Sequence, residues 1–83
     1  MRTIPVSDAP FTPETKYVLR AAGGQQHSPQ LYYTGKAGNG WVSSDLTQAF
    51  QYYSLNLART RAKQHNAYTS LHDLHFVVLA LID

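Results

Sequence analysis

Three histidines and an aspartate in the last quarter of the chain could bind a metal or move protons. His72 and His75 are three positions apart with Asp73 between them, and His65 lies seven residues before His72. Imidazoles and carboxylates can ligate zinc, and a histidine pair can act as acid and base near neutral pH. A zinc site needs three or four fixed ligands, however, and no cysteine supports this one. We therefore predict no catalytic residue, no metal and no cofactor, and a histidine-dependent site is our third hypothesis.

Three cations form a second group: Arg59, Arg61 and Lys63. On a helix, Arg59 and Lys63 lie one turn apart on the same face, whereas Arg61 points away by about 200°. Such a group can dock on an acidic partner surface or contact phosphates. It can equally be a solvated helix end that complements the helix dipole. The pattern leaves these interpretations open.

The six tyrosines include two adjacent pairs, Tyr32-Tyr33 and Tyr52-Tyr53. Neighbours face opposite sides of a strand and diverge by about 100° on a helix. One member of each pair should therefore lie in the core and the other near the surface, where tyrosine is typical of interfaces. The residues that we expect to contact a partner are Arg59, Arg61, Lys63, Tyr52 and Tyr33.

Length and composition limit the class of protein. The chain has 83 residues, 43% of them hydrophobic and 14% charged, with a net charge of +2. A disordered tail is excluded by the hydrophobic content, and an acidic DNA mimic by the charge. The absence of cysteine excludes disulfide scaffolds and favours the cytoplasm. The longest apolar run, Phe76 to Ile82, is shorter than the roughly 20 residues of a membrane helix, so we predict a soluble protein without membrane contact.

The pattern of prolines, glycines and β-branched residues divides the chain. Residues 1–15 contain three prolines and predict an extended leader, with a single domain over residues 16–83. Short β-rich runs around a glycine-rich loop predict an antiparallel hairpin, and Gly38-Asn39-Gly40 predicts a tight turn before a short third strand. The runs are Lys16–Arg20, Leu31–Thr34 and Trp41–Ser43. We interpret Trp41 as a core or sheet anchor rather than an exposed contact residue.

The centre of the chain predicts helix. Leu46, Ala49, Phe50, Tyr53 and Leu57 recur at helical spacing after Asp45, which has Gln48 three positions on as in a capping-box variant, and Asn66 could end the helix. Ser54 offers an alternative, because it could cap a second helix with Leu55, Ala58 and Ala62 on a new face. One helix over residues 45–65, or a short helix followed by a longer one, fits the pattern equally.

Residues 68–73 predict a loop, and the run from His75 to Ile82 predicts a final strand at the sheet centre or covered at an edge. The predicted fold class is α+β. A small antiparallel sheet of three to four strands packs on one main helix, in the order β-β-(β)-α-β.

The layout resembles small single-domain proteins of phages, prophages and mobile elements, among them anti-CRISPR proteins. The residues that carry this resemblance are Tyr33-Thr34-Gly35, Trp41, Ser44-Asp45, Ala49-Phe50 and Val77 to Ile82. It implies a compact sheet and helix without a catalytic set, while family contact residues do not transfer.

Two main hypotheses follow. The first is a non-enzymatic phage or mobile-element protein that binds and inhibits a larger host protein or ribonucleoprotein complex, such as a CRISPR effector, in the bacterial cytoplasm. The alternative is a small nucleic-acid-binding regulator, which also predicts a homodimer. In that alternative Arg20 and Lys36 would join the three helix cations on phosphates.

Overall fold

The chain forms an antiparallel sheet with one α-helix packed on one of its faces. The computed structural model describes residues 1–9, 12–23, 31–36, 40–69 and 74–82. Within these residues the strands and the helix are β1 (Arg2–Pro5), β2 (Lys16–Gly23), β3 (Leu31–Tyr33), β4 (Val42–Ser43), α1 (Leu55–Thr69) and β5 (Leu74–Ile82). The predicted α+β class is thus confirmed.

The sheet has the order β1-β5-β2-β3-β4, and each neighbouring pair is antiparallel. Strand β5 pairs along its length with β2 and, over residues 79–82, with β1. This central place explains why β5 is apolar on both faces, as the sequence predicted. The predicted hairpin of β2 and β3 is also confirmed. A fifth strand beyond the expected three to four is β1, which lies inside the segment that we expected to be a leader.

Side chains alternate between the two faces of the sheet. On β2, Tyr17, Leu19 and Ala21 belong to the cluster that α1 covers, whereas Val18 faces the other side. The half-buried Trp41 packs edge-on against Phe76, with ring centroids 5.8 Å apart, on the side that α1 covers. Its predicted role as a core anchor is thus confirmed.

The helix begins at Leu55 because Ser54 caps it. The Ser54 hydroxyl accepts a hydrogen bond from the backbone N–H of Leu57 at 3.3 Å, which satisfies one of the free donors in the first turn. The second of our two interpretations is therefore correct, and a single helix over residues 45–65 is wrong. A 3₁₀ turn at Leu46–Gln48 takes the place of the short first helix.

Asp45 caps this 3₁₀ turn. Its carboxylate accepts the backbone N–H of Thr47 at 3.0 Å and the Thr47 hydroxyl at 2.7 Å. The bond from the Thr47 hydroxyl, and to a smaller extent the bond from the Thr47 N–H, hold the pKa of Asp45 below its usual value. The predicted cap is correct, although its side-chain partner is Thr47 rather than Gln48.

The buried face of α1 consists of small residues. Ala58 and Ala62 are buried against the sheet beside the half-buried Leu55. The expectation that Leu46, Ala49, Phe50, Tyr53 and Leu57 form one helical face is wrong. Two of its members, Phe50 and Tyr53, precede the helix and are exposed, and Leu57 is 47% exposed on α1.

The end of α1 differs from the prediction at Asn66. The helix continues to Thr69, and the Asn66 side chain instead bonds the backbone of Phe76. Residues 68 and 69 of the predicted loop are therefore helical, and its residues 70–73 lie outside the described part, as do the loop at 24–30 and the turn residues 37–39. No helix in the described ranges is both long and apolar enough to cross a bilayer.

Candidate functional site: a groove between β3 and the helix

A groove of about 260 Å³ lies between the end of β3 and α1. Its lining combines aromatic, aliphatic and cationic side chains with one glycine. The lining residues are Tyr33, Gly35, Phe50, Tyr52, Leu57 and Arg61. Its volume is below the roughly 300–1,000 Å³ of typical cofactor and small-molecule pockets, so it has room for one or two side chains of a partner.

Backbone hydrogen bonds fix the wall that residues 50–52 form. The N–H of Phe50 donates to the carbonyl of Tyr33 at 2.8 Å. Tyr17 and Tyr52 exchange two further N–H to carbonyl bonds, each of 2.8 Å. β3 pairs with β2 at Arg20 and Ala21, and this segment pairs with β2 at Tyr17. The backbone of residues 50–52 is therefore fixed to the sheet on both sides.

Phe50 is exposed and yet fixed in position. Gly35 has a φ of +80°, and a Cβ at Gly35 would come within 2.5 Å of the Phe50 ring. On another side, the Tyr52 ring lies 4.8 Å from the Phe50 ring, centroid to centroid, at an angle of 54°. Phe50 nevertheless keeps 46% of its surface exposed. The groove thus presents a large aromatic group that loses little freedom on binding.

Leu57 and Arg61 form the helical wall, one turn apart on α1. Leu57 is nearly half exposed, and the guanidinium of Arg61 donates to the Gln64 amide oxygen at 3.2 Å. This partner is neutral and exposed, so the Arg61 charge can reach a ligand in the groove.

The ionisable groups around the groove interact with one another. Burial raises the pKa of Tyr52, the neighbouring Tyr33 phenol raises it further, and Arg61 opposes both effects. Burial also lowers the pKa of His65, and the positive charge of Arg61 lowers it further. Arg61 is therefore the cation to which both neighbouring groups respond.

His65 belongs to the aromatic packing behind the groove. Its ring lies 4.4 Å from that of Tyr33 and 5.5 Å from that of Phe76, centroid to centroid. His75 precedes Phe76 on β5, so its side chain points to the opposite face of the sheet. The two histidines cannot bind one metal ion, and His72 lies outside the described residues. Those residues contain no group of three or more candidate metal ligands.

The structure brings together three of the five predicted contact residues: Tyr33, Tyr52 and Arg61 line the groove. Arg59 and Lys63 are exposed elsewhere on α1, as their helical spacing from Arg61 predicted.

The expectation of one core and one surface member in the second tyrosine pair is confirmed. The member of this pair that we predicted as a contact residue, Tyr52, is the core member. Pairing with Tyr17 turns Tyr52 into the core, with 4% of its surface exposed, and leaves Tyr53 at 73%.

Three groove residues, Gly35, Phe50 and Leu57, were not among the predicted contacts. Phe50 and Leu57 were expected on the core face of a helix. A signal for Leu57 was present. With Ser54 as the cap, Leu57 lies about 200° around the helix from Leu55, on the side away from the core. Phe50 had no such signal, since its position depends on contacts with Gly35 and Tyr52.

No protein-family model, curated protein or solved structure matches this chain. Its function must therefore follow from its own residues, and the groove is where they combine binding chemistry with exposure.

Proposed function

We propose that the chain is a non-enzymatic protein-binding module whose contact surface is centred on the groove. One observation carries the proposal: Phe50 is half exposed and held by Gly35 and Tyr52, beside the exposed Leu57 and Arg61. Exposed apolar side chains on a fixed frame lose little entropy when a partner covers them. Arginine and aromatic residues are also typical of the few positions that dominate binding energy.

The size of the domain fits this role. The accessible surface is 5596 Å², so a standard interface of about 800 Å² on this side would cover about one seventh of it. The groove would form the centre of that interface. Arg59 and Lys63 do not line the groove, so they would lie outside this centre.

The partner that we propose is a larger host protein or ribonucleoprotein complex in the bacterial cytoplasm, which this chain inhibits by covering a surface. The resemblance to anti-CRISPR proteins in layout supports a CRISPR effector as the first candidate. The mechanism that fits a domain with a net charge of +2 is steric, because mimicry of nucleic acid needs a strongly negative surface.

The nucleic-acid alternative is less well supported by the placement of its cations. Arg59 and Lys63 lie apart from Arg61 on the helix, and Arg20 lies on the sheet face away from α1. A backbone-tracking protein needs a connected basic groove. Among the described residues, these cations are distributed over several surfaces.

The test is capture of a partner by the tagged protein from bacterial lysate, with nuclease present and washes at moderate and high salt. Leu57→Asp places a charge in the groove, and Ala67→Asp places the same charge at another exposed position of α1. We expect a stoichiometric protein complex with the wild type and Ala67→Asp and its loss with Leu57→Asp. Purified effector complexes are then assayed for inhibition by the same three proteins.

Two results would contradict the proposal. Equal capture by Leu57→Asp and Ala67→Asp would place the contact surface elsewhere. Recovery of only salt-labile, nuclease-sensitive material would favour the nucleic-acid alternative, and the double variant Arg59→Gln, Lys63→Gln should then abolish it.

A further inference from the structure

The chemistry of the groove indicates which part of a partner it accepts. Among the described residues that line it, Arg61 is the one charged residue, and none is a carboxylate. The half-buried Tyr33 adds a phenol group, which can donate a hydrogen bond, whereas Tyr52 is only 4% exposed. The rest of the described lining, chiefly Phe50 and Leu57, is apolar. The groove therefore combines one positive charge and one phenol with an aromatic and aliphatic rim.

We propose that the groove binds the side-chain carboxylate of an acidic residue in a partner peptide, with an apolar neighbour of that residue packed on Phe50 and Leu57. This inference rests on the proposed function, because it names the chemistry of the partner at the same site. The Arg61 guanidinium pairs with the carboxylate, and the half-buried Tyr33 beside it offers a phenol as a further donor.

Charge complementarity carries this choice of occupant. In the free protein Arg61 is bound to the neutral Gln64 amide at 3.2 Å. A carboxylate is a stronger acceptor and can take two parallel bonds from a guanidinium, so it competes well with that amide. The response of Tyr52 and His65 to the Arg61 charge indicates that its field reaches the groove.

The size and charge of the groove favour a peptide carboxylate over a phosphate chain. Successive phosphates need several cations, and the described part of the lining has one. Its volume of about 260 Å³ fits an acidic side chain with part of a neighbour rather than a nucleotide. The apolar rim is also of no use to an isolated phosphate, whereas it adds contact area for a leucine or phenylalanine of a peptide.

The probes are two peptides of the same size that differ in one charge. They are acetyl-Leu-Glu-Leu-amide and acetyl-Leu-Gln-Leu-amide, titrated into the isotope-labelled protein while backbone NMR signals are followed. We expect the glutamate peptide to shift the amides of Gly35, Leu57 and Arg61. We expect it to bind about tenfold more tightly than the glutamine peptide, as for a charge-assisted pair.

Variants of Arg61 test the role of the guanidinium. Arg61→Gln should reduce the affinity for the glutamate peptide to that of the glutamine peptide. Arg61→Lys keeps the charge without the planar fork and should retain part of the preference. Arg59→Gln is the matched control on the same helix and should bind as the wild type does. Arg61 is exposed, so these substitutions should leave the fold intact. Thermal unfolding of each variant verifies that the variant protein is folded.

Three results would overturn the inference: equal affinity for the two peptides, an Arg61→Gln variant that binds like the wild type, or shifts by inorganic phosphate at lower concentration than by the glutamate peptide. Absence of binding by either peptide up to millimolar concentration would overturn it as well. Capture of the partner from lysate distinguishes a failure of this inference from a failure of the proposed function. Capture that Leu57→Asp abolishes and Arg61→Gln leaves unchanged would keep the protein-binding role and reject the carboxylate.

Discussion

Asn66 of α1 pairs with the backbone of Phe76 in β5 through both polar atoms of its amide. The N–H of Phe76 donates to Oδ1 at 2.6 Å, and Nδ2 donates to the Phe76 carbonyl at 3.3 Å. Strand β1 pairs with β5 only over residues 79–82, so it has already ended at this level. The amide therefore takes the place of a neighbouring strand for one residue of the sheet and fastens the helix to it.

Replacement of Asn66 by alanine should destabilise the fold. It leaves one donor and one acceptor of the backbone at the buried Phe76 without these partners, which costs about 1–3 kcal/mol in the free energy of unfolding. Urea denaturation at neutral pH measures the loss. Asn56→Ala, at an exposed position of the same helix, is the control and should change the free energy by less than about 0.5 kcal/mol. Equal losses in the two variants would contradict a structural role for the Asn66 amide.

Gly35 should tolerate no side chain, for two separate reasons. Its φ of +80° is strained for an L-residue, and a Cβ would lie 2.5 Å from Phe50 Cδ2. We expect Gly35→Ala to destabilise the protein by about 1–3 kcal/mol and to displace the Phe50 ring from the groove. Gly40→Ala is the matched control, because among the described residues a Cβ there meets only the Lys36 side chain, at an ordinary 3.8 Å.

A double-mutant cycle separates the two contributions at Gly35. In a Phe50→Ala background the steric conflict is removed and the backbone strain remains, so Gly35→Ala should cost less there than in the wild type. Both free energies come from urea denaturation. A cost that is the same in both backgrounds would show that the Phe50 ring moves aside freely, and would remove the argument that it is held in place for binding.

The small residues of α1 should resist enlargement. Ala58 is fully buried against the sheet, and a leucine there would push the helix away from the strands. We expect Ala58→Leu to lower the free energy of unfolding by about 1–3 kcal/mol. Ala67→Leu introduces the same side chain at an exposed position and should be nearly neutral. A neutral Ala58→Leu would indicate that the contact between helix and sheet is loose.

The strands could be predicted from the sequence more readily than the buried face of α1, which consists of the alanines Ala58 and Ala62. Strands β2, β3 and β5 follow from β-branched and aromatic runs between glycines, because those patterns are local. The buried face of α1 was harder to predict, since the larger apolar residues lie outside that face. Leu57 and Phe50 outweigh Ala58 and Ala62 in any apolar pattern, whereas close approach of helix to sheet requires the small ones.

The groove could be predicted only in part. Helical geometry alone placed Arg61 and Arg59 on different faces of the helix. The different directions of adjacent side chains predicted one buried and one exposed tyrosine in a pair. The contact of Gly35 with Phe50 and the bond of Asn66 to Phe76 join residues 10 or more positions apart. Such contacts depend on how the elements pack, and no local pattern encodes them.

Protonation of His65 should weaken the fold. Burial, and then the charge of Arg61, hold the pKa of His65 below its ordinary value of 6.5. The unfolded chain therefore binds more protons at this position than the folded chain when the pH lies between the two values. The contribution of His65 is complete above about pH 6.5 and is lost as the pH falls towards the folded pKa. The free energy of unfolding should thus decrease from pH 7.5 to pH 5.5.

His65→Phe isolates this effect, because phenylalanine keeps a ring beside Tyr33 and Phe76 and does not titrate. Urea denaturation at the two pH values should show a smaller decrease for His65→Phe than for the wild type. If His65→Phe keeps the full decrease instead, the pH dependence arises from other groups. The packing of His65 between the groove and the core would then have no energetic link to its protonation.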